Sequence, residues 1–242
     1  MKRAGKIVAT VLAAAREWVA PGKTTRWIDA RVEEMIVDLG GRPAFKGYRG
    51  FPSATCSSVN EAVVHGIPNR KLLKEGDLLK LDVGVEIDSY YGDSAWTFPV
   101  GNISPEAEEL CEVCRDALAA GIAAAVPGKK IRDIARAIEK RVRETDFGIV
   151  EQYVGHGIGR ELHEAPQIPN YVAKGFADLD IKLRPGMVLA IEPMVNLGGP
   201  DVETLDDGWT VVTSDGMLST HYEHTVWISE EGPQILTTLE DV

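Results

Sequence analysis

Apolar residues recur every third or fourth position through Ile7, Val8, Val11, Leu12, Ala15, Trp18 and Val19, and the pattern stops at Pro21-Gly22. That period predicts an amphipathic helix closed by a turn. Thr24–Leu39 repeats it, with Ile28, Val32, Met35, Ile36 and Leu39 on one face and Gly40-Gly41 as the stop. Glu106–Val126 and Ile131–Thr145 make a second pair of helices, joined at Pro127-Gly128. Both pairs turn on the tripeptide Pro-Gly-Lys, at Pro21 and again at Pro127.

Elsewhere the pattern is that of strands. Leu78–Ile87 and Tyr90–Val100 are apolar, β-rich runs joined across Asp88-Ser89, which predicts a hairpin. Cys56–Val64 reads as a strand ending at His65-Gly66-Ile67-Pro68. Before it, Pro43–Pro52 is a loop rich in glycine and aromatics, where Tyr48 and Phe51 are candidates for lining a pocket. Ile149–Val154 is a short strand that runs into Gly155-His156-Gly157-Ile158-Gly159. Leu183–Asn196, Thr204–Val212 and Met217–Ile228 complete the set. In the last, a period of two puts His221 and Glu223 on one face, Tyr222 and His224 on the other.

One acid sits inside each run of the hairpin, Asp82 and Asp93. Residues facing each other across a hairpin have Cβ atoms about 5 Å apart. Two carboxylates that close in a buried sheet repel and lose hydration. Solvent exposure, a shared proton or an intervening cation would each resolve the conflict. A repeat decides for the cation. Leu73–Asp82 reads L-K-E-G-D-L-L-K-L-D and Leu183–Glu192 reads L-R-P-G-M-V-L-A-I-E, at a constant offset of 110 (183 − 73 and 192 − 82). Asp93-Ser-Ala-Trp-Thr-Phe has a weaker echo in Glu223-His-Thr-Val-Trp-Ile. Each half therefore supplies helix, PGK turn, helix and strands with two acids. The expected fold is α/β (α+β), a curved antiparallel sheet backed by helices, with two halves related by a pseudo-twofold axis.

Composition narrows the picture. At 242 residues the chain is long enough for one domain over 1–242, its internal repeat running roughly from 1–101 and 105–232. A net charge of −11 argues against a nucleic-acid protein, which normally shows a basic face. Three cysteines give no disulfide framework, so a reducing cytoplasm is expected. Cys111-x-x-Cys114 lacks a second half and reads as two small helix residues. Lys2, Arg3 and Lys6 before an apolar run mimic a signal peptide, but the amphipathic period marks a structural helix, and no membrane span is expected. Gly155 to Gly159 is rejected as a phosphate loop because no helix follows, and His163-Glu164 is no zincin pair because residue 167 is Gln. His156 and His163, two of five histidines on one loop beside the acid repeat, read as functional.

Asp82, Asp93, Glu192 and Glu223 with one histidine make an oxygen-rich set whose charge matches two divalent ions. Such donors suit Mn, Fe, Co or Zn, and the lack of cysteine argues against structural zinc.

The segments HGIP (65–68), LDVGV (81–85), YGDSA (91–95), GHGIG (155–159), HEAPQIP (163–169), PGMVLAIEPM (185–194) and HYEHT (221–225) resemble the type I methionine aminopeptidases of the pita-bread fold. The resemblance spans nearly the whole chain. It implies a metallo-exopeptidase that removes the initiator Met from nascent proteins when the second residue is small. It implies that Asp82 and Asp93 bind metal with Asp93 bridging, that His156 and Glu192 bind the second ion, and that Glu223 bridges. His65 and His163 would handle substrate and protons, with Glu192 as a proton shuttle, and Tyr48, Phe51, Cys56, His65, Leu162 and Trp209 would line the Met pocket. The implied partners are nascent N-termini and the ribosome, with a monomeric enzyme and no direct recognition of nucleic acid or membrane. Against the family's usual pattern, Leu162 stands for Phe, Gly84 for Thr and His221 for Gln, adding an ionisable group beside Glu223. A helical turn or two is expected to be missing before Met1. A Xaa-Pro aminopeptidase or prolidase uses similar ligands but usually carries an extra N-terminal domain, and a non-catalytic module of the fold should have lost ligands.

Overall fold

The first helix, α1 (Lys2–Trp18), buries Ala4, Val8, Val11 and Ala15 along one stripe in a computed structural model that describes residues 1–238. In α2 (Thr25–Asp38) the Thr24 hydroxyl accepts from the Trp27 amide at 3.1 Å, which satisfies one of the helix's free N–H groups. Strands β1 (Arg42–Pro43), β2 (Thr55–Val59), β3 (Ala62–Val64), β4 (Leu78–Ile87) and β5 (Tyr90–Pro99) follow. Leu79, Leu81, Val83 and Val85 point from β4 into a core with Ile7, Val8, Val11, Ile28 and Val32 of the two helices. The alternate residue Asp82 therefore faces away from the helices, toward the opposite side of the sheet.

The second half repeats this plan. α3 (Pro105–Ala124) and α4 (Ile131–Val142) precede β6 (Gly148–Ile149), β7 (Gly155–Gly157), β8 (Glu164–Ile168), β9 (Val188–Ile191) and β10 (Met194–Asn196). β11 (Val202–Thr204), β12 (Val211–Thr213), β13 (Ser219–His221), β14 (His224–Ser229) and β15 (Gly232–Ile235) close the chain. Leu189, Ile191, Val226 and Ile228 pack with Leu110, Ala117, Ile134 and Ile138 of α3 and α4. Burial of each such side chain contributes about 1.5–3 kcal/mol. Cys111 and Cys114 are buried, unpaired residues of α3.

Hydrogen bonds show how alike the halves are. At the first PGK turn Gly22 N donates to Leu73 O and Leu73 N to Lys23 O, both at 2.8 Å. At the second, Gly128 N donates to Leu183 O at 2.9 Å and Leu183 N to Lys129 O at 2.8 Å. Gly76 and Asp77 pair with Val100 just as Gly186 and Met187 pair with Ile228. The halves are stitched along β5 by short hydroxyl side chains. Thr225 Oγ1 accepts from Asp93 N at 2.9 Å and donates to Asp93 O at 2.7 Å, while Thr97 Oγ1 donates to His221 O at 2.8 Å.

Several long strands expected from the sequence are interrupted. Cys56–Val64 divides at Asn60, whose φ is 53° and whose side chain bonds Asp77 and the Leu78 amide at 2.9 Å. Leu183–Asn196 is regular strand only from Val188 and breaks at Glu192-Pro193, where proline has no N–H to offer a ladder. Thr204–Val212 opens into a turn because Asp207 caps the amides of Trp209 and Thr210 at 2.8 Å. Met217–Ile228 breaks at Tyr222-Glu223, with the Tyr222 ring set edge-on against Trp96 at 4.8 Å. Of Ile149–Val154 only Ile149 is in a strand. No helix among the described residues is long and apolar enough to cross a membrane.

Candidate metal centre

The hairpin register pairs Asp82 with Ala95 and Asp93 with Gly84, so the two acids are diagonal rather than directly opposite as expected. Diagonal residues share a face at about 7–8 Å, and the two carboxyls are close enough that, beyond burial, the charge of Asp93 raises the pKa of Asp82. Gly84 keeps that face open. A Cβ there would meet Phe45 Cε1 at 2.6 Å.

In the second half the register is one step different. Ile191 pairs with His224 and Met194 with His221, which sets Glu192 across from Glu223 at the break in the ladder. His221 is then the diagonal residue, in the position that Asp93 holds in the first hairpin. It lies beside Glu192, with 3.6 Å from Nε2 to Glu192 Oε2. Asn170, which the sequence reading missed, donates from Nδ2 to Glu192 O at 3.1 Å.

His156 comes from β7, threaded between β8 and β9. Any side chain in place of Gly155 or Gly157 would strike the carbonyl of Ala190 or Ala165, so glycine on both sides lets the strands close on the histidine. Nδ1 donates to Gly157 O at 2.9 Å, leaving the Nε2 lone pair to face Glu192 Oε1 at 3.6 Å and Asp93 Oδ2 at 4.0 Å. Donor atoms of Asp93, His156 and Glu223 all lie within 4.8 Å of one another. Asp82 through Asp93, and Glu192 through His156, extend that group to the five residues expected.

Asp93 is 4% and Glu223 2% exposed. Burial first, then the neighbouring carboxylates, hold Asp82, Glu192 and Glu223 well above the usual carboxylate range. Burial pushes Asp93 up to about 7. Asp82 Oδ1, Asp93 Oδ1 and Glu223 Oε1 have no hydrogen-bond partner. Each such buried oxygen costs about 1–3 kcal/mol, and more when charged. A divalent cation removes that cost, because hard oxygen donors with one imidazole are a suitable donor set for it. The residues fit a metal.

The same acids line a cavity of about 150 Å³, the size that holds a single benzene-sized apolar group. Tyr48, Phe51, Cys56, His65, Leu162, His163 and Trp209 line it with them. Phe45 and Arg49 also line it and were missed. Arg49 is brought there by positive φ values at Gly47, Arg49 and Gly50, and the flanking glycines were the available signal. His163 Nδ1 lies 3.0 Å from the Tyr48 hydroxyl, and burial, then the charges of His156, Arg49 and His65, lower its pKa to about 3. It is a neutral imidazole. With the Tyr48 O–H donating to Nδ1, its own proton is on Nε2.

The profile of metallopeptidase family M24 matches residues 1–230. This chain belongs to that family. Within it, methionine aminopeptidase 1 of Bacillus subtilis is 48% identical over 237 residues, 98% of this chain and 94% of that one. The crystal structure of methionine aminopeptidase from Thermotoga maritima superposes with a TM-score of 0.95 at 46% identity, covering 99% of this chain and 95% of that one. A prolidase from Pyrococcus furiosus has a TM-score of 0.80 at 27% identity, but this M24 chain spans only 63% of it. This M24 peptidase therefore has the pita-bread architecture at the length of the methionine aminopeptidases.

Proposed function

We propose that this chain is a metal-dependent methionine aminopeptidase, removing Met from polypeptide N-termini when the second residue is small. The observation that carries the reading is the cavity, where four carboxylates, two of them buried, and an imidazole share the lining with Phe45, Phe51, Leu162 and Trp209. Asp82, Asp93, His156, Glu192 and Glu223 would hold two divalent ions from among Mn, Fe, Co or Zn. Bound there, such ions supply Lewis acidity toward a peptide carbonyl and toward an attacking water, and a site for the free α-amine of the substrate, the feature that would make the enzyme an exopeptidase.

The chain's own residues do the rest. Phe51, Cys56, Leu162 and Trp209 take the Met side chain, and Phe51 and Trp209 meet edge to face at 5.2 Å to form a firm wall. Nε2–H of His163 donates to the carbonyl oxygen as it gains charge. Glu192 accepts the proton of the attacking water and returns it to the leaving amine. His65, held at φ 58° at the end of β3, closes the pocket and handles protons at its rim.

The whole chain serves as one catalytic domain, and three unpaired cysteines suit a cytoplasmic enzyme meeting nascent chains at the ribosome. Release of Met from Met-Ala-Ser, measured against Met-Pro and Ala-Pro peptides, tests the reading. Met-Ala-Ser should be cleaved, EDTA should stop the reaction, and Mn or Co should restore it. Preference for Ala-Pro would move the chain to the prolidase side of the family.

A further inference from the structure

His221 is buried at 2% exposure, and the reaction above assigns it nothing. Its main chain is pinned on both sides by one hydroxyl, since Thr97 Oγ1 donates to His221 O at 2.8 Å and accepts from His221 N at 3.1 Å. Its Nε2 has no hydrogen-bond partner, and Glu192 Oε2 stands 3.6 Å away. The other oxygen of the same carboxylate, Oε1, stands 3.6 Å from His156 Nε2. Glu192 is thus flanked by two imidazoles, one facing each oxygen.

The two imidazoles are not equivalent. His156 has its proton on Nδ1, committed to Gly157 O, so it offers Glu192 only a lone pair. Two lone pairs face each other there, an arrangement that calls for a cation between them. On the other side, Nε2 of His221 can supply a side-chain donor facing Oε2, and a small rotation of the carboxylate closes the gap to a hydrogen bond.

We propose that His221 is a positioning residue for the metal centre. Its Nε2–H holds Glu192 Oε2, so that Oε1 is the oxygen presented beside His156. The inference rests on the metal-binding reading of Glu192. Partners that orient a ligand in this way typically contribute 10- to 100-fold to metal affinity.

Calorimetric titration of the metal-free protein with Mn²⁺ tests it, using His221→Gln and His221→Leu. The amide N–H of Gln can replace the donor, so His221→Gln should bind Mn²⁺ within about threefold of wild type. His221→Leu should bind about 10- to 100-fold more weakly, and with Co²⁺ its visible absorption bands should shift while those of His221→Gln stay in place. Leu binding as tightly as wild type, or Gln weakened as much as Leu, overturns the proposal. If His221→Leu shows no cooperative thermal unfolding, His221→Met takes its place in the comparison with His221→Gln. Wild-type protein that takes up no Mn²⁺ would instead sink the functional reading beneath it.

Discussion

His163 lays its ring against that of His156, with centroids 4.2 Å apart and planes inclined by 39°, yet the two imidazoles serve different partners. Nε2 of His156 faces the acids, whereas His163 is bonded through Nδ1 to Tyr48. His163→Ala should keep its Mn²⁺ affinity and lose about 100- to 1,000-fold in kcat. His156→Ala should lose metal. Calorimetry beside steady-state kinetics separates the two, and weak metal binding by His163→Ala would make it a ligand.

Metal uptake should be coupled to protons. Asp93 is pushed up to about 7 by burial, and Asp82, Glu192 and Glu223 lie well above the usual range. The metal-free centre therefore keeps protons at neutral pH, and a cation must displace them. As pH rises fewer protons remain to be displaced, so Mn²⁺ affinity increases, and the slope lessens as Asp93 ionises near about 7. Titrations in buffers of different ionisation enthalpy should show proton release at pH 7, and none would mean that the acids are already ionised.

Gly84 and Phe45 should be energetically coupled. A side chain at 84 meets the Phe45 ring at 2.6 Å and Ala44 Cβ at 3.0 Å. Gly84→Thr should destabilise by about 1–3 kcal/mol, the usual range for overpacking. Adding Phe45→Ala should recover part of that loss. Urea unfolding of the single and double variants measures the coupling, and strictly additive effects would refute it.

Leu162 is 1% exposed, lines the cavity and belongs to the apolar cluster of Phe45, Phe51 and Cys56. Leu162→Phe should narrow the pocket and raise KM for Met-Ala-Ser more than it changes kcat. One methylene alters discrimination by about 1–3 kcal/mol, so norleucine should be accepted nearly as well as Met. Unchanged kinetics in Leu162→Phe would show that the position does not touch substrate.

Both halves were legible because leucine, glycine, apolar run and acid recur in register, and the PGK turns recur with them. The diagonal placement of Asp82 and Asp93 was not read, although the turn that sets it was. A two-residue turn at Asp88-Ser89, both with positive φ, pairs Ile87 with Tyr90 and so fixes every pair behind it. The breaks at Asn60, Pro193 and Tyr222 were not legible, because each lies in a run whose composition suits a strand and is decided by partners far away. Arg49 and Asn170 reach the site through loop geometry, and His221 through a register that only the folded pairing reveals.

Asp82 and Asp93 meet across one tight hairpin, but Glu223 follows Asp93 by 130 residues (223 − 93) and is held by Thr225 and Ala95 contacts that join the two halves. During synthesis the first pair can form as soon as the hairpin is made, while Glu223 joins it only after both halves exist. A copy that stopped before residue 223 would lack one of the carboxylates that line the cavity.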